Sequence, residues 1–245
     1  MYKLIQGDCI EVMKTMPDGS IDMILCDLPY GTTSCCWDTI IPFEPLWEQY
    51  KRIIKYNGAI VLFGTEPFSS KLRCSNLSMY KYDWYWEKER ITNIAQVKKR
   101  AGKTVETISV FYKKQPTYNP QMSIYNGKKR TNKVKNGKLG KLIDNAEKKV
   151  VEYQDNGLRY PTQILKFNRD CLKSNLHPTQ KPVALCEYLI KTYTNEGDLV
   201  LDNCMGSGTT GVAAINTNRN FIGIELEEKY FNIAKNRIEK TRSLF

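Results

Sequence analysis

The stretch Leu199-Val200-Leu201-Asp202-Asn203-Cys204-Met205-Gly206-Ser207-Gly208-Thr209-Thr210 constrains this chain most. A short apolar run ends in an acid, a glycine-rich turn follows, and a helix-compatible segment begins at Thr209. Glycines let a backbone approach a bound nucleotide-like group closely. No lysine follows them, which excludes the loop that cradles phosphates in nucleotide triphosphatases. The third glycine of the dinucleotide fingerprint is also missing after Gly208, which weakens a nicotinamide-dependent oxidoreductase.

A second acid, Glu225, ends the next apolar run, Phe221-Ile222-Gly223-Ile224, 23 residues after Asp202. In doubly wound sheets an acid at about that distance past the glycine turn, roughly 20 residues, accepts the ribose hydroxyl protons. Alone, Glu225 reads as a surface acid; behind the glycine turn, the ribose role is favoured. Strand, acid, Gly-x-Gly and second acid together suit a nucleoside without phosphates that carries a cationic end, as S-adenosylmethionine does.

Apolar runs alternate with amphipathic stretches over most of the chain. Strands are predicted at 3–6, 21–26, 59–63, 82–86, 107–112, 199–201 and 220–224, and helices at 9–16, 44–56, 66–76, 182–192, 209–217 and 228–241. This alternation predicts an α/β fold with a largely parallel sheet. The strands at 82–86 and 107–112 have no helix between them and are expected to pair as a hairpin at one sheet edge. Residues 115–170 read differently: polar, rich in Lys, Asn and Gly, and weakly periodic. The predicted division is therefore 1–114, an inserted module 115–170, and 171–245.

Charge marks the same insert. Net charge is +11, and residues 113–149 hold eleven Lys or Arg against two acids. Such an excess suits a polyanion, because neutralised phosphates release counterions, although a solvated basic loop has the same composition. Lys98-Lys99-Arg100 and Lys128-Lys129-Arg130, interleaved with Asn93, Gln96, Asn126 and Asn132, are the candidate phosphate-contacting clusters. The eight cysteines form no Cys-x-x-Cys pair and the one histidine is His177, so no metal site is expected. No run of 18 apolar residues is present, and Asp8 arrives too early for a secretory signal, so a cytoplasmic location without membrane contact is expected.

Near the N-terminus an apolar strand ends in Asp27-Leu28-Pro29-Tyr30. Pro29 forces an irregular turn, and ligands in open α/β sheets bind just beyond such strand ends. Asp27-Leu28-Pro29-Tyr30 resembles the Asp/Asn/Ser-Pro-Pro-Tyr/Phe motif of the beta-class amino DNA methyltransferases, closest to their compact, phage- or mobile-element-type adenine enzymes. The order of elements matches too: catalytic motif first, then a target-recognition region, then the glycine turn. His177-Pro178-Thr179-Gln180-Lys181-Pro182 resembles the segment preceding that turn, and Gly7-Asp8-Cys9 the strand end flanking the cofactor adenine. The chain departs at two positions. Leu28 replaces the first proline, and Cys204 stands where many relatives place phenylalanine beside the cofactor.

The resemblance implies a Rossmann-like S-adenosylmethionine-dependent methyltransferase fold, with a seven-stranded mostly parallel sheet in circularly permuted motif order. It implies transfer of a methyl group to the N6 amino group of adenine in double-stranded DNA, the base being flipped from the stack. Asp27, Pro29 and Tyr30 take the catalytic positions, Tyr30 stacking on the base. Asp8, Cys9, Asp27, Lys181, Asp202, Cys204, Gly206, Ser207, Gly208, Thr209 and Glu225 take the cofactor. Lys181 either lies near the cofactor carboxylate or caps a helix. His177, lone and before proline, is read as structural, and Trp37 with Asp38 as a loop closing over the site. A homodimer and a cognate restriction enzyme stand open as partners. N4-cytosine is the alternative target, and a catalytically inactive DNA-binding protein of the same fold the alternative from another class. Carbon-5 cytosine chemistry needs Pro-Cys, which Cys35-Cys36 does not supply.

Overall fold

A computed structural model describes residues 1–32, 38–125, 127, 132–134, 151–153, 156–170 and 180–243. In chain order the elements are β1 (Tyr2–Gln6), α1 (Cys9–Lys14), β2 (Ile21–Cys26), α2 (Phe43–Ile53), β3 (Ile54–Gly64), α3 (Phe68–Ser75), β4 (Tyr80–Glu87) and β5 (Val105–Phe111). Four short strands follow: β6 (Ser123–Ile124), β7 (Asn132–Val134), β8 (Val151–Tyr153) and β9 (Leu158–Arg159). The chain continues with β10 (Ile164–Lys166), α4 (Val183–Tyr193), β11 (Leu199–Asp202), α5 (Thr209–Asn216), β12 (Asn220–Glu225) and α6 (Glu228–Arg242).

The main sheet runs β1-β12-β11-β2-β3-β5-β4-β10. Only the β3–β5 and β4–β5 ladders are antiparallel. The hairpin expected from 82–86 and 107–112 is thus present as β4–β5, but the short β10 pairs in parallel with β4 and covers the edge, adding an eighth strand to the seven expected. Along β2 every residue but Asp22 is buried, so its two faces feed different cores. Met23 and Leu25 join Ala59, Val61, Ile108 and Val110 under α4, α5 and α6. Ile24 and Cys26 join Ile60, Leu62 and Phe111 under α1, α2 and α3. The period of two makes a three-layer α/β/α sandwich.

α2 shows why helix boundaries shift. Its buried Leu46, Trp47, Tyr50 and Ile53 recur at helical spacing. The apolar pattern continues past Ile53, yet Ile54 turns extended and pairs with Ile21. Two adjacent β-branched residues and a waiting strand partner end the helix earlier than the predicted 44–56.

The described chain divides into two compact units, Met1–Asn119 with Thr162–Phe245, and Pro120–Pro161. The second contains the β6–β9 and β7–β8 antiparallel ladders. It is narrower than 115–170 for physical reasons at both ends. The Asn119 N–H donates to the Thr192 carbonyl and its side-chain amide to Thr194, fastening that end to α4. Past Thr162 the chain joins the main sheet as β10.

The strand order reverses between β11 and β2: the chain leaves β2 for β3 on one side and β11 for β12 on the other. The C-terminal ends of β1, β12, β11 and β2 therefore lie side by side, which brings Asp8, Glu225, Asp202 and Asp27 to one edge of the sheet. That crevice is where open α/β sheets bind ligands.

Candidate active site

A cavity of about 720 Å³ opens at this edge. Its two ends are built differently.

The first end is walled by Asp8, Cys9, Asp202, Cys204, Thr209 and Glu225. Asp8 caps α1, accepting from the backbone N–H groups of Ile10 and Glu11 at 2.9 and 3.1 Å, which satisfies helix donors that have no internal partner. Glu225 accepts from Gly206 N at 2.8 Å and from Glu227 N at 2.9 Å, yet its burial raises the carboxyl pKa. Asp202 is 3% exposed and accepts from Cys204 N at 3.1 Å. Burial pushes its carboxyl up to about 7, against the Thr210 hydroxyl and the Cys204 amide, which favour the charged form. Among the described residues no Lys or Arg forms an ion pair with Asp202 or Glu225.

The glycine turn acts from behind this wall. Gly206, Ser207 and Gly208 do not line the cavity, unlike Thr209. Gly206 and Gly208 hold φ of +51° and +77°, where a side chain is strained. A Cβ on Gly208 would stand 2.9 Å from the Ala234 Cβ. Ser207 is buried, and Arg237 donates to its carbonyl and hydroxyl at 3.1 and 3.2 Å. The turn thus orients β11 and α5, and through the Gly206 amide it fixes Glu225.

The second end gathers around Asp27, Pro29 and Tyr30. One Asp27 oxygen accepts from the Tyr30 hydroxyl and the other from the Lys181 ammonium. Tyr30 packs on Phe68 with ring centroids 5.0 Å apart; burial and the neighbouring Asp27 raise its pKa well above the usual phenol value. Leu28, at the place of the motif's first proline, is buried in the core beneath α2. Asp38, expected on a loop closing over the site, is buried and accepts from the N–H groups of Tyr30, Gly31 and Thr32 at 2.7, 2.9 and 2.8 Å. Three successive amides on one carboxylate hold the turn after the motif in shape. Trp37, Cys35-Cys36 and His177 lie outside the described residues.

Of the two roles expected of Lys181, helix capping is not the one its ammonium takes up. It bonds Asp27, lies 3.8 Å from Glu106 and stands over the Tyr30 and Phe63 rings at 5.7 and 5.3 Å. The helix start it was expected to cap is instead met by Asp170, which accepts from Val183 N at 2.8 Å. Burial opposes the Lys181 charge, but Asp27 and Glu106 outweigh it and the pKa is raised. Burial also opposes the Glu106 charge, and Lys181 with Lys88 overcomes it, lowering that pKa. Lys88 completes the chain by bonding the other Glu106 oxygen.

Glu106, Lys88 and Gln180 all line the cavity, and none was singled out as a functional residue from the sequence. For Glu106 a signal existed. In β5 it shares a face with Ile108 and Val110, both buried, so the alternation aims a carboxylate at the core.

The basic loop between β4 and β5 starts in the cavity wall at Lys88 and Thr92. Lys98, Lys99 and Arg100 are exposed beyond a single 3₁₀ turn at Ile94–Gln96. Asn93 is spent inside the loop, donating to the Ala101 carbonyl at 3.1 Å and accepting from Lys103 N at 2.6 Å. Lys128, Lys129, Arg130 and Asn126 lie outside the described residues.

A family model described as DNA methylase, of the N6/N4 type, matches residues 21–236. A DNA adenine methyltransferase of Escherichia coli K12, YhdJ, is 30% identical over 96% of this chain and 82% of its own length. The crystal structure of M1.HpyAVI in complex with SAM superposes with a TM-score of 0.64 at 26% identity, covering 97% of this chain and 99% of that one. The cytosine-N4-specific PvuII DNA methyltransferase shares the fold, with a TM-score of 0.67 at 16% identity over 99% of this chain and 93% of its own.

Proposed function

The chain belongs to the DNA methylase family, and from that premise we propose that it methylates the N6 amino group of adenine in double-stranded DNA. S-adenosylmethionine supplies the methyl group, carried on a cationic sulfur. The observation that carries the reading is one cavity holding both the Asp27-Leu28-Pro29-Tyr30 turn and the acids at the ends of β1, β11 and β12. The second group fits that cofactor. Asp202 and Glu225 are desolvated acids without a cationic partner among the described residues, and a ligand bringing positive charge and hydroxyl donors satisfies them. Glu225 takes the ribose, Asp8 and Cys9 flank the adenine, and Asp202, Cys204 and Thr209 wall the remainder.

An exocyclic amine conjugated to a purine ring is a poor nucleophile. The Asp27 carboxylate and the Pro29 carbonyl accept hydrogen bonds from it, which favours a pyramidal nitrogen and stabilises the charge that develops on it, and the methylated nitrogen then sheds its extra proton. Lys181 balances the Asp27 charge and fixes its orientation. Tyr30, pinned by Phe68 and by its hydroxyl, offers a rigid face for the base. A base inside the duplex cannot reach this cavity, so it must be flipped, at a cost of roughly a few kcal/mol. Phosphates on either side are within the province of Lys98, Lys99 and Arg100, and the unit Pro120–Pro161 serves target recognition. The description of the E. coli relative supports adenine as the target.

The test is digestion of DNA incubated with the protein and S-adenosylmethionine, followed by mass spectrometry of the nucleosides. N6-methyladenine is the expected product, and N4-methylcytosine would correct the base while keeping the mechanism. Asp27→Ala should cut turnover roughly 100- to 1,000-fold or more, with cofactor affinity by calorimetry changed only a few-fold. Retained turnover in that variant would remove Asp27 from the chemistry.

A further inference from the structure

Gln180 is 5% exposed and lines the cavity at the Asp27 end. Neither its amide nitrogen nor its amide oxygen has a hydrogen-bond partner among the described residues. Glu106, on the same wall, has one oxygen bonded to Lys88 and the other, Oε2, buried without a hydrogen bond. A buried amide that bonds nothing is expensive, because it has given up water at both ends. Two such side chains lining one cavity mark the place of a ligand that brings its own donors and acceptors.

We propose that Gln180 reads the Watson–Crick edge of the flipped target base, its amide N–H donating to the ring nitrogen beside the amino-bearing carbon. That nitrogen is N1 in adenine and N3 in cytosine. The assignment rests on the methyltransferase reading and deepens it. Enzymes that flip a base read it by hydrogen bonds to this edge, and a side-chain amide is the group that offers donor and acceptor together. The amide can rotate to suit either order of donor and acceptor, so Gln180 alone does not discriminate. Discrimination comes from the acids beside it. Asp27 and Glu106 Oε2, which has the Lys181 ammonium at 3.8 Å but no hydrogen bond, favour a donor at the neighbouring exocyclic position, which an amino group meets and the carbonyl oxygen of guanine or thymine does not. With that side settled, the amide orientation that turns Nε2 toward the ring nitrogen is the one that gives its lone pair a donor.

The experiment is a cycle of two changes on methylation kinetics. One is Gln180→Met, which keeps length and removes hydrogen bonding; the other is 1-deazaadenine at the target position of the duplex, which replaces N1 by C–H. If the modified base is cytosine, 3-deazacytosine takes its place. Each change alone should lower kcat/KM roughly 10- to 100-fold, and the two together should cost little more than one. Cofactor affinity by calorimetry should stay within a few-fold in Gln180→Met, which shows a folded site. Penalties that multiply, or a wild-type enzyme indifferent to the deaza substitution, would overturn the assignment; the latter needs no variant to fold. A wild-type protein that methylates no base in DNA would overturn the functional reading itself, a result distinct from either.

Discussion

The two ends of the cavity hold their acids by different means. At the end proposed for the cofactor the acids are held mostly by backbone amides: Asp8 by a helix start, Asp202 by the Cys204 N–H together with the Thr210 hydroxyl, Glu225 by the Gly206 and Glu227 N–H groups. At the end proposed for the base, Asp27 is held by side chains, Tyr30 nearby and Lys181 far away in sequence, with Glu106 and Lys88 extending the chain. Backbone donors neutralise little charge, so Asp202 and Glu225 rise in pKa. Ammonium groups neutralise fully, so Glu106 falls despite its burial. One end is left short of positive charge and the other is balanced without a ligand. That difference fits a cationic cofactor at the first and a neutral base at the second.

Removing the balancing charge should do the most damage. Lys181→Met leaves Asp27 and Glu106 facing each other without the ammonium between them. Breaking a buried pair by taking one partner costs roughly 3–5 kcal/mol, to be read from urea unfolding, and methyl transfer should fall with it. Cofactor affinity, measured on the folded fraction at low temperature, should change only a few-fold. A much larger loss of affinity would move Lys181 to the cofactor end and break the division between the two.

This contrast also explains which parts of the site were legible. A strand end, its capping acid and its glycine turn are contiguous, so Asp8, Asp202, Glu225 and Asp27 could be read from local pattern. β2 was placed at its observed bounds because all its neighbours demand apolar residues. Gly206 and Gly208 were legible as a turn, while the Gly206 N–H bond to Glu225 and the close approach of Gly208 to Ala234 were not. Lys88, Glu106 and Lys181 meet only when β4, β5 and the start of α4 are brought together. No spacing along the chain encodes that meeting. The bonds of Asp38 were hidden for a related reason: its three amide partners precede it by six to eight residues, across a turn whose shape depends on the bonds themselves.

A pH series sharpens the same comparison with a smaller effect. The Asp202 carboxyl rises from 3.8 to about 7 on folding. Between those values the folded chain holds a proton that the unfolded chain has released, so its stability should decline as pH rises from about 4 to 7 and level off above. The Asp202 contribution is on the order of a few kcal/mol, and Asp202→Asn should flatten that part of the profile. Cofactor binding should run the other way. A cationic ligand favours the ionised acid, so affinity should rise through pH 7 with release of a proton, visible as a buffer-dependent binding enthalpy. An affinity equally flat in wild type and Asp202→Asn would mean that the first end is not matched to positive charge.

The smallest effect lies outside the cavity. Lys98, Lys99 and Arg100 are exposed on a loop whose base at Lys88 and Thr92 belongs to the cavity wall. A duplex delivering a base to that wall must pass its phosphates near the loop tip. Each phosphate contact adds about 0.9 to the slope of log affinity against log salt concentration. Replacing all three by alanine should therefore lower the slope by roughly 2–3, with cofactor affinity and the modified base unchanged. The sequences methylated should also stay the same, because phosphate contacts position the duplex without reading it. An unchanged slope would place the duplex on another face, and the charge on residues 113–149 would then have to supply the electrostatic attraction by itself. A changed recognition sequence would mean that the loop reads bases, extending the base end of the site beyond the cavity wall.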